Sequence, residues 1–595
     1  MSLDSVDALP QAMHPVLRRI LAARGVTAVA DVEHRLGALL PPAGLGGMAR
    51  ACELIEAALR NGAPIIVVGD FDADGATGTA VALRGLKLLG ARNVDYGVPN
   101  RFTHGYGLGP KLVDELVARR PELREGGLLI TVDNGVAAHA GVAAAKSAGM
   151  HVIVTDHHLP AASLPAADAL VDPNVCAAQA CAHAAPPCVA CAEDIRRNGD
   201  FPSRALAGVG VMFYLLLALR AHLRGRNWFA ERAIDEPDLS CLLDLVALGT
   251  VADLVPLDRN NRILVEAGLR RIRGGRGSAG IAALLECGKR DVKRTVASDL
   301  GFVVGPRINA AGRLDDIRLG IECLLTDDVG RARKLAETLS AINSERRDLQ
   351  SGMVEQAEAA VQRWVATHGV DAIPVGVVMF EPEWHHGVVG LVASKLKEAL
   401  NRPVIACAPA GEGSDEVKAS GRSVAGFHLR DALAEVDASM PGLLIRFGGH
   451  AMAAGLTLRL ADVERFAREF DAVACRHLAR ENLDQVWLTD GELSAAELTL
   501  DLAQQLRYAA PWGQAFPEPL FDGLFDVDSV RLVGEKHRKL GLRSVSAMRS
   551  IEAMQFNIDQ AESISGRVRV VYQLDVNDWN DTQSLRLVVR HIEAS

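Results

Sequence analysis

Ile65-Ile66-Val67-Val68-Gly69-Asp70-Phe71-Asp72-Ala73-Asp74-Gly75-Ala76-Thr77-Gly78 is the stretch on which the fold turns. Its apolar run, Ile65 to Val68, reads as a buried parallel strand. Three carboxylates follow at alternate positions, so Asp70, Asp72 and Asp74 face one side if the segment stays extended. Gly75 and Gly78 permit a tight turn into a helix expected over Ala80 to Leu89. Three like charges this close repel one another and call for a cation. Carboxylate oxygens suit Mg²⁺ or Mn²⁺, whereas a helix cap needs only one Asp.

Working outward, Val152 to Thr155 reads as another buried strand and delivers Asp156-His157-His158 at its C-terminal end. Between the two, Leu128 to Val132 is strand-like and ends in Asp133-Asn134-Gly135. Ligands of open α/β sheets gather at that edge. Mixed His and Asp ligation favours Mn²⁺ over Mg²⁺ without excluding either.

Asp70 to Gly75 together with Asp156-His157-His158 resembles the DHH phosphoesterase superfamily. Ala247 to Asp253, Gly305 to Arg313 and Phe447-Gly448-Gly449-His450 narrow the resemblance to its RecJ family of single-stranded-DNA-specific exonucleases. The resemblance runs from about residue 45 to the end. It implies a 5′-to-3′ exonuclease acting on single-stranded DNA in repair and recombination. It also implies two Mn²⁺ or Mg²⁺ ions held by Asp70, Asp72, Asp74, Asp133, His157 and Asp253, with two-metal phosphodiester hydrolysis. His158 is then a ligand or a contact to the scissile phosphate. A single-strand-binding protein and a helicase are the partners this kinship implies. Two other readings are a DHH-type phosphoesterase for pyrophosphate, nano-RNA or cyclic dinucleotides, and a non-catalytic single-strand-binding scaffold. The filled acidic and histidine positions weigh against the second.

The 595 residues suggest three or four domains. A net charge of −10 excludes a uniformly basic coat but not a local basic groove. No apolar run approaches the ~18 residues of a membrane span. Met1 to Pro15 lacks a basic-then-apolar signal pattern, and most of the ten cysteines are scattered, as expected of a reduced cytoplasmic protein. Short apolar strands alternate with Ala/Leu-rich helices from Ala49 onward. The expected fold is therefore α/β: a helical lead-in over 1–48 and a parallel-sheet DHH domain over 49–330. A connecting helix over 331–367 joins it to a smaller α/β DHH-associated domain over 368–475, and an OB-like β-barrel over 476–595 follows. The barrel is expected to be separable, so that a chain ending near Arg480 keeps its catalytic half folded.

Several segments offer groups to a phosphate backbone. Arg101, in a turn-rich loop, meets a phosphate or serves as a surface ion-pair partner. Gly305 to Arg313 reads as a compact loop presenting Arg307, Asn309 and Arg313, whose guanidinium groups bind phosphate or pair with Asp315 and Asp316. His385, Ser420, Arg422, Ser423, Gly448, Gly449 and His450 lie in Gly-rich segments expected at turns and helix starts. Gly448 to Gly455 is expected to open a helix-like run, and Ala495 to Arg507 to be a helix. Cys176, Cys181, Cys188 and Cys191 cluster in an Ala/Pro-rich insert with His183. They form either a structural Zn²⁺ staple or an incidental reduced loop.

Overall fold

Alternate residues of strand β1, Ile65–Gly69, enter two different cores: Ile65 and Val67 one, Ile66 and Val68 the other. A strand buried on both faces belongs inside a parallel sheet. The structure is a computed structural model that describes residues 9–101, 103–175, 201–368, 373–411, 413–478, 483, 486–534, 536–545, 549–558, 564–579 and 582–594. It divides into two compact units. The first comprises Met1–Gly312, Asp316–Ser340 and Leu488–Ser595, the second Arg313–Asp315 and Ala341–Trp487.

In the first unit β1 is followed by helix α1, Ala73–Leu88, and strand β2, Val94–Gly97. Strands β3, Leu128–Val132, β4, His151–Thr155, and β5, Ala169–Val171, complete a parallel sheet of order β2-β1-β3-β4-β5. The strand order reverses between β1 and β3, so the crevice at their C-terminal ends is the natural ligand position. Helices α2, Gly208–Gly225, and α3, Leu243–Ala252, pack against α1.

Helix α4, Gly305–Leu314, overturns the expected compact loop. Pro306 lies in its first turn, where proline is tolerated, and Ala310 and Ala311 favour helix. A π-helical turn, Leu300–Val304, leads into it. A Cβ at Gly312 would lie 2.0 Å from the Phe71 carbonyl oxygen, so α4 sits directly on the first acidic motif.

Helix α5 runs unbroken through 40 residues, Val329–His368, about 60 Å by the helical rise. Beyond it the second unit carries a sheet of order β6-β7-β8-β10-β9. Its strands are β6, Val377–Phe380, β7, Val404–Pro409, β8, Glu416–Arg422, β9, Leu444–Gly449, and β10, Ala453–Arg459. Ser420 and Arg422 therefore stand in a strand and not at a turn. Gly448 and Gly449 end β9 and lead into a hairpin, so no helix-like run begins there. Leu456 and Leu458 alternate with Thr457, and the cross-strand ladder to β8 overrides the small-residue composition that suggested helix.

Thr499 caps helix α6, Leu500–Tyr508, through the Leu502 amide, which is why it starts five residues after the expected Ala495. Five strands then close a barrel of order β11-β12-β13-β15-β14. They are β11, Phe521–Val533, β12, His537–Ser544, β13, Ile551–Phe556, β14, Gly566–Trp579, and β15, Thr582–Ala594. β11 runs as one long strand through a register shift between Val527 and Ser529.

The barrel is not a detachable module. Phe516, Phe521 and Phe525 share one apolar core with the parallel-sheet domain. Arg262 lies over the Phe516 ring at 4.3 Å, and the Leu257 amide donates to Gln514 O at 2.8 Å. Arg24 holds Asp490 through two bonds of 2.7 and 2.9 Å in a mostly buried pair. Removing one partner of such a pair costs about 3–5 kcal/mol. Deleting residues 488–595 is expected to lower the melting temperature of the remainder by several degrees and to make it aggregate. A truncated protein that melts like the full chain would show the shared core to be dispensable.

Candidate metal centre

The acidic motif is not an extended run. Asp70 leaves β1 fully enclosed, and Asp72 turns the chain as the N-cap of α1. Its Oδ1 accepts from the Asp74 and Gly75 amides at 3.0 Å each. Asp74 lies in the first helical turn, so helix geometry and not a strand pleat brings the three carboxylates together. The Asp74 carboxylate accepts from Gly208 N at 2.6 Å and Val209 N at 3.0 Å, the positive end of α2. Two glycines are required by space: a Cβ at Gly75 would meet Asp70 N and O at 2.5 Å, and one at Gly208 would meet Asp133 Cβ at 2.5 Å.

Asp133 follows β3 in a left-handed conformation, φ 63°, that places its carboxylate among the others. His157 Nε2 lies 3.0 Å from Asp133, 3.5 Å from Asp253 and 3.9 Å from Asp74. Potential ligand atoms gather in three overlapping sets: Asp133, His157 and His158; Asp74, His157 and Asp253; and Asp70, Asp72 and Asp133. Sequence-separated strand ends and the last turn of α3 thus meet at one point.

Burial first, then the Asp72 charge, raises Asp70 to about 8 and Asp74 to about 7. Asp133 and Asp253 are raised well above the ordinary carboxylate value, again by burial and then by neighbouring carboxylates. Burial and the adjacent His158 push His157 down to about 4, so it is neutral with a free lone pair at pH 7. His158 goes the other way: burial opposes its charge, but the hydrogen bond to Asp156 and the surrounding acids lift it to about 9.

A divalent cation fits this donor set. Asp70 Oδ1, Asp133 Oδ1 and His157 Nε2 are buried acceptors that make no hydrogen bond. The 3.0 Å approach of His157 to Asp133 lacks hydrogen-bond geometry, so proximity and not bonding describes it. Carboxylates with one neutral imidazole match Mn²⁺ or Mg²⁺.

Asp156 is a site residue that the spacing of acids and histidines did not single out. Its Oδ1 accepts from His157 N at 2.8 Å and from His158 Nδ1 at 2.7 Å, and its Oδ2 from Val136 N at 2.8 Å. The only sequence signal was its place at the head of the Asp-His-His triplet. Asn309 also has a different place from the one expected. Its Oδ1 accepts from Ala73 N at 2.8 Å, so it steadies the acidic motif. Asn309→Ala is expected to weaken Mn²⁺ binding by about 10- to 100-fold, the scale for groups that orient metal ligands. An unchanged midpoint in a Mn²⁺ titration would reduce Asn309 to a packing residue.

The remaining expected residues divide. Arg101 stacks on Phe71, 4.1 Å from its ring, and is mostly buried beside Asp70 and Asp72. Arg307 donates to Ser340 Oγ at 3.0 Å and Val303 O at 2.6 Å, neither of them the acids expected. Arg313, in the second unit, donates to Gly387 O at 3.4 Å. Arg422 donates to Ser420 Oγ at 3.1 Å, and both crowd Gly390 near the start of helix Val389–Leu400. Ser423 is buried and donates inward to Phe427 O at 2.6 Å. His385 Nδ1 accepts from the Gly387 amide at 3.2 Å. His450, just past Gly448 and Gly449, donates its amide to Ala453 O at 2.8 Å in the hairpin. Cys176, Cys181, Cys188 and Cys191 lie outside the described residues. Among those described, no helix is long and apolar enough to cross a membrane.

The chain matches the sequence profile of the DHH family N-terminal domain over residues 64–250, the DHHA1 domain over 372–474 and the RecJ OB domain over 489–591. It is 48% identical over 592 residues to the single-stranded-DNA-specific exonuclease RecJ of Salmonella typhimurium, spanning 99% of this chain and 97% of that one. For the Escherichia coli protein of the same name the identity is 47% over 593 residues, spanning 99% and 98%. The crystal structure of RecJ in complex with Mn²⁺ from Thermus thermophilus superposes with a TM-score of 0.76 at 30% identity, covering 100% of this chain and 77% of that one.

Proposed function

Because this chain belongs to the RecJ family of single-stranded-DNA-specific exonucleases, we propose that Asp70, Asp72, Asp74, Asp133, His157 and Asp253 form its hydrolytic centre and hold two Mn²⁺ or Mg²⁺ ions. The protein is a metal-dependent exonuclease of single-stranded DNA. The observation that carries the site assignment is the set of buried, unbonded acceptors on Asp70, Asp133 and His157. Bound cations supply Lewis acidity and a water acidic enough to attack phosphorus at neutral pH.

The chain's own groups do the rest. Asp72 and Asn309 fix the backbone of the acidic turn, and the start of α2 fixes Asp74. Asp156 accepts from His158 Nδ1 at 2.7 Å and so fixes the orientation of that ring beside the cluster. His157, neutral, offers its Nε2 lone pair to the cluster. Ser420 and Arg422 form a compact donor group beside a helix start, suited to the DNA backbone. Kinship supports 5′-to-3′ polarity, a role in repair and recombination, a cytoplasmic setting, and partnership with a single-strand-binding protein and a helicase.

The test is an oligonucleotide labelled at its 5′ or 3′ end, incubated with Mn²⁺, with and without a duplex block at either end. Mononucleotide release from a free 5′ end, lost on chelation, is expected. Release from the 3′ end alone would overturn the polarity, and release in chelator would overturn the metal centre.

A further inference from the structure

Strand β5 ends at Val171, and the corner after it, Asp172-Pro173-Asn174, reaches back to the histidine pair. Asp156 N donates to Val171 O at 3.1 Å, which carries the pairing of β4 with β5 one step past its last paired residues. Asp172, 1% exposed, then closes a turn. Its Oδ1 accepts from Asn174 N at 2.7 Å, and Pro173 between them restricts the backbone. The turn aims the Asn174 side chain at the neighbouring strand end, where its Nδ2 donates to His157 O at 2.6 Å.

That carbonyl belongs to the peptide joining His157 to His158. The N–H of the same peptide donates to Asp156 Oδ1 at 3.2 Å, and the His157 N–H donates to the same oxygen at 2.8 Å. A peptide is a rigid plane, so a hold on its oxygen and another on its N–H keep it from rotating. With the His157 amide held as well, the backbone on both sides of the His157 Cα is fixed, and with it the direction of Cβ. The His158 ring has a bond of its own, Nδ1 to Asp156 at 2.7 Å. The His157 ring is tied by a backbone hydrogen bond to Leu206. Its Nε2 makes no hydrogen bond, so Nδ1 carries that bond and Nε2 keeps its lone pair. Where that lone pair points is therefore set by the backbone of His157.

We infer that Asn174 is a positioning residue of the metal centre: by holding the His157 carbonyl it aims the His157 Nε2 at the carboxylate cluster. Its effect on a cation is exerted through the histidine, from 17 positions further along the chain. The residue type follows from the task. A carbonyl oxygen needs a donor, which the amide supplies without charge, and a carboxylate of the same shape would repel it. This role rests on the metal-centre reading above.

The test is a double-mutant cycle read by Mn²⁺ binding itself, with free Mn²⁺ followed by its paramagnetic resonance signal in full-length protein without DNA. Asn174→Leu keeps the shape of the side chain and removes the donor. In an otherwise wild-type chain it is expected to raise the midpoint of the Mn²⁺ titration by about 10- to 100-fold, the scale for groups that orient metal ligands. In a His157→Ala background the same change should move the midpoint by less than about twofold, because no imidazole is left to aim. Circular dichroism checks that each variant is folded; if Asn174→Leu is not, Asn174→Ala carries the same cycle. An equal shift in both backgrounds would overturn the role and leave Asn174 as a staple of the β5 corner. No shift in the wild-type background would overturn it as well. If His157→Ala alone leaves Mn²⁺ binding unchanged, the metal-centre reading is what fails, and the role of Asn174 falls with it.

Discussion

Asp72→Asn will lower kcat for single-strand hydrolysis by about 10³-fold or more at saturating Mn²⁺, while the metal-free protein melts no lower than wild type. Asparagine caps helices as well as aspartate, so its side-chain oxygen can still accept from the Asp74 and Gly75 amides. The turn is kept and only the charge is removed. That charge is one of the influences that raise Asp70 and Asp74, so its loss relieves repulsion in the native state. It also removes an anionic ligand from a centre whose cations contribute several kcal/mol to the transition state, at about 1.4 kcal/mol per tenfold in rate. Asp72→Ala is a poorer test, because the lost cap alone costs about 1 kcal/mol of stability. Asp72→Asn retaining more than about one hundredth of wild-type kcat would mean that Asp72 shapes the turn and does not serve the chemistry.

Stripping the metal will make stability fall as pH rises from about 6.5 to about 9, and Mn²⁺ will flatten or reverse that fall. Asp70 is raised to about 8 and Asp74 to about 7, against about 4 in an unfolded chain. Above the unfolded value and below the folded one, the native state holds protons that the unfolded chain has released. Stability then declines with pH until the folded value is passed. His158, raised from 6.5 to about 9, adds to the decline over the same window. His157, lowered to about 4, acts in the opposite sense, but only between about 4 and 6.5. Above pH 6.5 the groups therefore pull together. A cation binds the deprotonated carboxylates, so it stabilises most where the metal-free protein is weakest. Melting temperatures in chelator and in Mn²⁺ across this range measure both slopes. Parallel slopes would show that the carboxylates do not discharge their repulsion onto a metal.

Sequence by itself determined the elements whose signal is local. Uninterrupted apolar runs at Ile65, Leu128 and Val152 could only be strands buried on both faces, and the acids and histidines after them therefore had to meet at one sheet edge. The long helix was legible for the same reason, since 40 residues without proline and with one inner glycine leave few alternatives.

Tertiary structure alone decided the rest. Gly305 to Arg313 has the composition of a loop, yet its glycine at 312 is there to let a helix touch the Phe71 carbonyl. Ser420 and Arg422 resemble turn residues but are held in a strand by Gly455 and Ala453, and Gly448 is held in one by Gly455 across a hairpin. Asn309 offers a donor that suits phosphate, but a backbone amide 236 positions away takes its oxygen. The barrel reads as an appendage until Phe516 and Asp490 find Arg262 and Arg24. Local propensity and periodicity carry information only over a few residues. Bonds and packing between segments hundreds of residues apart are settled by which surfaces the folded chain brings together, and one sequence contains no local trace of them.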